Sequence, residues 1–340
     1  MLLNYAYGQR IRLDVFAEYG KGGKPILWTD SLRVDFEYNS TGEYERASVE
    51  VYNLSEEGQE RIGRIGNYVT LTVIHHGVPN RVFSNFIVNN AHTETKVPEN
   101  VTTLYCAGAS TAAFASNVSN LHKNEFKITD IFNHILSGRA KQDGTGTDVT
   151  INVEPIRGTP IRVRLEGFTD KIKNKVWRTN KGLTFGCNVY AAFKRYSTQF
   201  NYDVRYGEEI VITYRGTGAN GKATYDRIIK DPGKHLVLKV EDMKANPRMS
   251  SATMEIHSIL NPEIRYGQVI DTSKLFSASI KENTEVLQVS PKFLLSAVKV
   301  REKYFVVSVE HKGSNFTGKW DTFVTAYPPA RNNKDAKEKT

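Results

Sequence analysis

The chain has 340 residues, which at about 100–200 residues per domain allows two or three domains and a core that needs no staples. Its composition, 39% hydrophobic and 24% charged with a mean hydropathy of −0.44, excludes a disordered or fibrous chain, and no run reaches the ~18 apolar residues of a membrane span. The net charge of +9 is uneven: residues 1–108 carry 10 basic and 13 acidic groups, net −3, whereas residues 123–230 carry 19 and 11, net +8, so an acidic partner or a solvated positive face belongs to the middle of the chain.

The first hundred residues read as β. Ile11, Leu13 and Val15 alternate with Arg12 and Asp14; Leu32, Val34 and Phe36 with Arg33 and Asp35; Ala47, Val49 and Val51 with Ser48 and Glu50; Val69, Leu71 and Val73 with Thr70 and Thr72. Period-two alternation predicts half-buried antiparallel strands with one face on a core and the other toward water or a partner. Clusters of Gly, Pro and Asn punctuate the turns, and so many short strands call for a sandwich or a barrel. One short helix interrupts them. Ser55 is its cap, Glu56 and Glu57 suit its positive end, Ile62 and Ile65 share its buried side, and Gly66 stops it.

Helical spacing then appears at Ile128, Ile131, Phe132, Ile135 and Leu136, with Thr129 as cap and Gly138 as stop. The loop 142–148 is a candidate boundary. A second helix is predicted over about 183–200, where Val189, Phe193, Tyr196 and Phe200 recur, followed by a strand at 209–214. The last hundred residues return to β: Met254 and Ile256, Val298 and Val300, and Phe305, Val307 and Val309 alternate. The polar tail 331–340 is expected to be disordered. The fold class is therefore mainly β with a few helices (α+β).

Motifs for chemistry are sparse. Gly216-Thr-Gly218-Ala-Asn-Gly221 matches GxGxxG, with Glu241 and Asp242 some way beyond, but the strand before it is too polar for a central parallel strand, and a Gly-rich loop is the better reading. His75 and His76 would point to opposite faces of a strand and cannot easily share a metal. Cys106 and Cys187 read as two reduced core thiols. No catalytic, metal or cofactor-binding residue is assigned, and no cofactor is expected. The basic stretch 157–181 is the most substantial feature. Arg157, Arg162, Arg164, Lys171, Lys173 and Lys175 are candidate partner contacts, with Arg162 and Arg164 on one strand face and the three lysines repeating that spacing; Trp177 lies nearby. A basic groove with aromatic platforms binds single-stranded nucleic acid, but here the interleaving is thin.

Two segments in order carry a resemblance. The first runs from Leu32-Arg-Val-Asp-Phe-Glu-Tyr to a strand ending in Tyr52-Asn53-Leu54-Ser55, then through a short helix to Val69-Thr-Leu-Thr-Val and Val82-Phe83-Ser84-Asn85. The second is Asn261-Pro262-Glu-Ile-Arg-Tyr-Gly267, then a strand ending in His311-Lys-Gly313 and Trp320-Asp-Thr322. Together they resemble baseplate hub proteins of contractile-tailed bacteriophages, over about half the chain; Asn85 stands where that family has a glycine.

The resemblance implies two tube-type antiparallel β-barrel domains around a mixed central region: 1–108, a helical segment 109–148, a basic α+β part 149–240, a second barrel 241–330 and the tail 331–340. It implies a homotrimer with a pseudo-sixfold ring joining a hexameric tail tube to a trimeric spike, at the baseplate of a virion assembled in the host cytoplasm. Its partners would be the spike protein, the tube or tube-initiator protein, the tape-measure and wedge proteins, and DNA in transit. The role is structural, not enzymatic. A contractile injection system of the type VI kind fits equally. Two other readings stand beside it: a carbohydrate-binding or cell-wall-degrading β protein of a phage tail, and a single-strand nucleic-acid binder using the central basic stretch.

Overall fold

The computed structural model describes residues 9–17, 25, 27–29, 32–41, 44–75, 77–108, 117–118, 121, 124–135, 140–142, 148–152, 160–179, 182–206, 210–214, 236–249, 253–275 and 303–327. Arg157, His76, the GxGxxG run, Val298, Val300 and the tail 331–340 lie outside them. The N-terminal part supplies β1 (Gln9–Phe16), β2 (Leu27–Thr29), β3 (Val34–Thr41), β4 (Glu45–Tyr52), α1 (Glu56–Ile62), β5 (Tyr68–His75), β6 (Val78–Lys96) and β7 (Glu99–Ala107). The middle supplies β8 (Asn117–Val118), β9 (Glu125–Lys127), α2 (Ile128–Ile135), β10 (Ala140–Gln142), β11 (Asp148–Asn152), β12 (Pro160–Glu166), α3 (Asp170–Lys173), β13 (Val176–Arg178), β14 (Cys187–Asn188), α4 (Val189–Phe200), β15 (Tyr202–Tyr206) and β16 (Ile210–Tyr214). The last part supplies β17 (Leu236–Val237), β18 (Arg248–Met249), β19 (Met254–Ile259), β20 (Val269–Asp271), β21 (Lys303–Ser314) and β22 (Trp320–Tyr327).

Strands from both ends of the chain share one sheet, in the order β18-β19-β22-β21-β3-β4-β7-β6-β5-β1-β2, with β20 attached to β21 and β17 to β20. The join is β21 on β3, antiparallel from Ser308 opposite Thr41 to Ser314 opposite Asp35. One apolar core lies behind it. Leu13, Val49 and Leu104 from the first part pack in the same cluster as Met254, Tyr304 and Val324 from the last. The middle has its own sheet, β10-β11-β12-β16-β15, in which β12 and β16 run parallel. Its core of Ile131, Phe132, Phe193, Tyr202 and Ile212 takes in Tyr68 of β5 and Ile87 of β6, so the middle is packed against the joined sheet.

Most predicted strands have the expected inward set: Ile11, Leu13, Val15, Val34, Phe36, Val49, Val51, Val69, Leu71 and Val73 are buried. Four local expectations change. A register shift between Val306 and Ser308 breaks the alternation in β21, so Val306 and Val309 are buried and Val307 is not. Helix α1 is capped by Ser55, whose Oγ accepts from the Gly58 N–H, but it ends at Ile62 with Gly63 as its C-cap; Ile65 is exposed and Gly66 lies beyond the helix. Helix α2 starts at Ile128, so Thr129 sits inside its first turn, and Asp130 Oδ2 accepts from the Lys127 N–H at 2.9 Å. Helix α4 starts only at Val189, because Asn188 caps it by accepting from the Ala191 N–H.

Gly313 sits where β21 passes between Phe36 and Trp320. A Cβ there would lie 2.4 Å from Phe36 Cε1 and 3.0 Å from Trp320 Cε3. Both rings are buried in the shared core. Gly313→Ala is expected to destabilise the chain by about 1–3 kcal/mol, the cost of overpacking a filled core, measured by urea unfolding.

Candidate assembly surface and the loop behind it

The outward face of the joined sheet is polar across both ends of the chain. Cross-strand rows run Glu255, Thr325, Ser308, Thr41; then His257, Phe323, Glu310, Asn39, Arg46; then Asp321, Lys312, Glu37, Ser48, Tyr105. Carboxylates slightly outnumber cations on it: Asp35, Glu37, Glu50, Glu255, Glu310 and Asp321 against Arg33, Arg46, Lys244, Arg248 and Lys312. Several of these groups pair. Lys312 Nζ lies 2.9 Å from Glu310 and 3.5 Å from Glu37, and the hydrogen bond to Glu310 holds its pKa up. Partial burial works against the charge on Asp321, yet hydrogen bonds from Lys244 and His257, at 2.6 and 2.7 Å, keep its pKa below the usual carboxylate value.

The inward face holds the loop Asn261–Gln268 in place. His311 is fully buried on β21 and stacks on Tyr38 of β3 with ring centroids 5.5 Å apart. Its Nε2 lies 3.2 Å from the Ile264 carbonyl and its Nδ1 2.9 Å from Thr322 Oγ1. A carbonyl only accepts, so Nε2 carries the proton and Nδ1 accepts from the Thr322 hydroxyl. Thr322 Oγ1 in turn accepts from the Asn261 N–H at 2.8 Å. Every polar group in this chain of bonds is matched while the imidazole is neutral.

The same loop reaches two other parts of the molecule. The Arg265 guanidinium donates to the carbonyls of Val82 and of Arg81, where a bulge in β6 shifts the register. Arg205 of β15 donates to the Tyr266 carbonyl at 3.2 Å. Gly267, with φ at +81°, leaves room for that guanidinium, since a Cβ would lie 1.9 Å from its nitrogen. Asn85 has φ at +53°, so the asparagine keeps a left-handed bend at the position of the family glycine.

The other motif residues are structural too. Tyr52 closes β4, with its phenol oxygen 3.0 Å from Asp35 and 2.9 Å from Glu50. Asn53, left-handed at φ +57°, donates its N–H to the Asn100 carbonyl at 2.7 Å. Leu54 is in the core, Pro262 is buried at the start of the loop beside an open cleft of about 380 Å³ that Arg81 and Glu263 also line, and Trp320 packs on Gly313. Tyr38, Arg265 and Arg205 are the members that sequence reasoning missed; Tyr38 and Arg265 lay inside the quoted segments Leu32–Tyr38 and Asn261–Gly267, whereas Arg205 lay near no signal.

The basic stretch is not one face. Arg162 and Arg164 lie on β12, opposite Thr150 and Asp148, and Arg164 pairs with Glu166. Lys171 and Lys173 do not continue a strand spacing, because 170–173 is a single helical turn, α3, with Asn174 at its end. Lys175 lies over the Trp177 ring at 4.2 Å, and that ring packs edge-on to Phe200. Trp177 is thus partly buried, packed against Phe200 and with Lys175 over its ring. Cys106 is buried and Cys187 half-buried, both free thiols. Among the described residues no His, Cys, Asp and Glu cluster could hold a metal, and no helix is long and apolar enough to cross a membrane.

No protein-family model matches the chain, and no curated protein sequence does. Solved structures do. The E. coli c3393 protein, a type VI secretion component described as similar to the T4 bacteriophage tail proteins gp27 and gp5, superposes with a TM-score of 0.54 at 9% identity, over 94% of this chain and 77% of that one. The fold is shared with tail proteins. A tail protein from Neisseria meningitidis MC58 gives 0.52 at 8% identity, over 95% and 97%. A chain of the half-lidded Francisella PdpA–VgrG complex gives 0.53 at 9%, over 97% of this chain but 61% of that one. At such identities the likeness is one of fold.

The His311 network has a pH signature. Burial, helped by the nearby Arg265 charge and only partly opposed by the bond to Ile264, lowers the imidazole pKa to about 3. An exposed histidine titrates near 6.5, so the folded state binds fewer protons than the unfolded one. The contribution is complete above about pH 6.5 and is lost as pH falls toward 3, at a limiting slope of about 1.4 kcal/mol per pH unit. His311→Gln is expected to be less stable at pH 7.5 and to lose less between pH 6 and 4, as read from denaturation midpoints at each pH.

Proposed function

We propose that the chain is a structural connector at the tip of a contractile tail or related injection apparatus. In this reading it closes as a homotrimer, and residues 1–108 and 241–330 act as two tube-type barrel modules per chain, so that three chains give a pseudo-sixfold ring. Residues 109–148 and 149–240 carry the central part that faces neighbours. The ring joins a hexameric tube to a trimeric spike and lets DNA or another cargo through. A duplicated module is the simplest way for a threefold body to meet a sixfold one.

The observation that carries the reading is the one sheet built from both ends of the chain, with a continuous polar, slightly acidic face. Facing inward, that surface suits a passage for nucleic acid, because fixed carboxylates repel phosphates that a basic wall would bind. The shared fold supports it: the E. coli match is a type VI secretion component, and the Francisella match comes from a complex of PdpA with VgrG. Wedge, tape-measure and tube-initiator contacts follow from the same placement, as does a place in the virion baseplate when the apparatus is a phage. No residue in it is assigned a reaction.

The test is the solution mass of the full chain by light scattering over a range of concentration and salt, followed by imaging. The expected result is a species near three times 38.4 kDa and a ring with an open centre. A stable dimer contradicts it, because a twofold body cannot sit on a threefold axis.

A further inference from the structure

Beside the loop Asn261–Gln268, the open cleft of about 380 Å³ holds charged groups that the fold leaves unmatched. Arg81 comes to it from β6, and Glu263, Arg265 and Gln268 come from the loop. Leu236 of β17 and the buried Pro262 give it an apolar side. Among the described residues, neither guanidinium has a carboxylate partner and Glu263 has no cation, although opposite charges share the cleft. The two arginines and the one carboxylate do not neutralise one another.

The donors are nonetheless held in place. Arg265 is half-buried, and the acceptors of its guanidinium are neutral: the carbonyls of Val82 and Arg81 and the Tyr38 phenol. A guanidinium has five N–H donors, more than those three acceptors. Gln268 Oε1 accepts from the Arg265 backbone N–H at 2.9 Å. That bond fixes the amide and leaves Gln268 Nε2 without an acceptor among the described residues. The Asn80 amide lines the same space. A half-buried cation with only neutral partners carries a desolvation cost that no counter-charge offsets.

A carboxylate matches this set, because it accepts from guanidinium and amide donors together, and donors ordered beforehand cost less to engage. We propose that the cleft is a binding site for an acidic peptide segment. Its carboxylate meets Arg81 and Arg265, a backbone N–H donates to Glu263, and an apolar neighbour lies against Leu236 and Pro262. A phosphate fits worse, because Glu263 repels it and the apolar side stays empty. A small dicarboxylate fits worse too, because its second charge also meets Glu263. The site lies behind the inward loop and not on the outward face, so the inference stands apart from the connector reading.

The test titrates the full-length chain, by ligand-observed NMR, with the acidic dipeptide acetyl-Leu-Asp-amide, its neutral counterpart acetyl-Leu-Asn-amide, succinate and inorganic phosphate. Wild type, Arg81→Gln and Glu263→Gln are compared, with thermal unfolding as the check on folding; Arg265 is kept because it ties the loop to β6. The expected result is binding of the acidic dipeptide by wild type and about 10-fold weaker binding by Arg81→Gln, the loss of one charged hydrogen-bonding partner. Glu263→Gln is expected to gain succinate binding. No binding of the acidic dipeptide by wild type, equal binding by Arg81→Gln, or equal binding of the neutral dipeptide overturns the site. Succinate or phosphate bound by wild type as tightly as the acidic dipeptide overturns the peptide as its occupant.

Discussion

The rest of the structure depends on the ladder between β3 and β21. It pairs strands from opposite ends of the chain, and next to it Asn315 bonds Val34 across 281 positions. Closing so long a loop costs only slightly more than closing a shorter one, since the entropy grows with the logarithm of length. In return the ladder brings two apolar faces into one core and two polar faces into one surface. Without it, each end would keep an open strand edge.

The inward side of that ladder explains why the motif residues are what they are. Tyr38 and His311 stack across it, and Phe36 occupies the space a Gly313 side chain would need. His311 then fixes the loop Asn261–Gln268, and that loop carries Arg265 to β6 and receives Arg205 from β15. The buried histidine holds a backbone junction where three parts of the chain meet. The outward side of the same strands has no such task, and its ion pairs are partly solvated and individually weak.

Much of this was legible in the residues. Period-two alternation marks the inward face of β3, β4, β5 and β19 because one face of each meets the core and the other meets polar surroundings. Capping chemistry marks the start of α1, since a hydroxyl ahead of two glutamates satisfies a free N–H. What stayed hidden is non-local. Nothing near Ser40 or Val309 says that they lie side by side, and nothing near Arg205 points to Gly267. Bulges also erase the pattern: at Val306–Ser308 an extra residue turns the alternation over, and in β6 a bulge and a left-handed Asn85 interrupt it. Lys171 and Lys173 misled for a related reason. Two-residue spacing looks like one strand face, but on a helical turn those residues point apart.

The most direct test of the account is native-state hydrogen exchange on β3 and β21, read as opening free energies along the chain. One sheet and one core predict that the amides of both strands exchange through a single cooperative opening of the same free energy. Two sets of protection, with β3 and the N-terminal strands opening separately from β21 and the C-terminal ones, would contradict the joined sheet and the continuous face built on it.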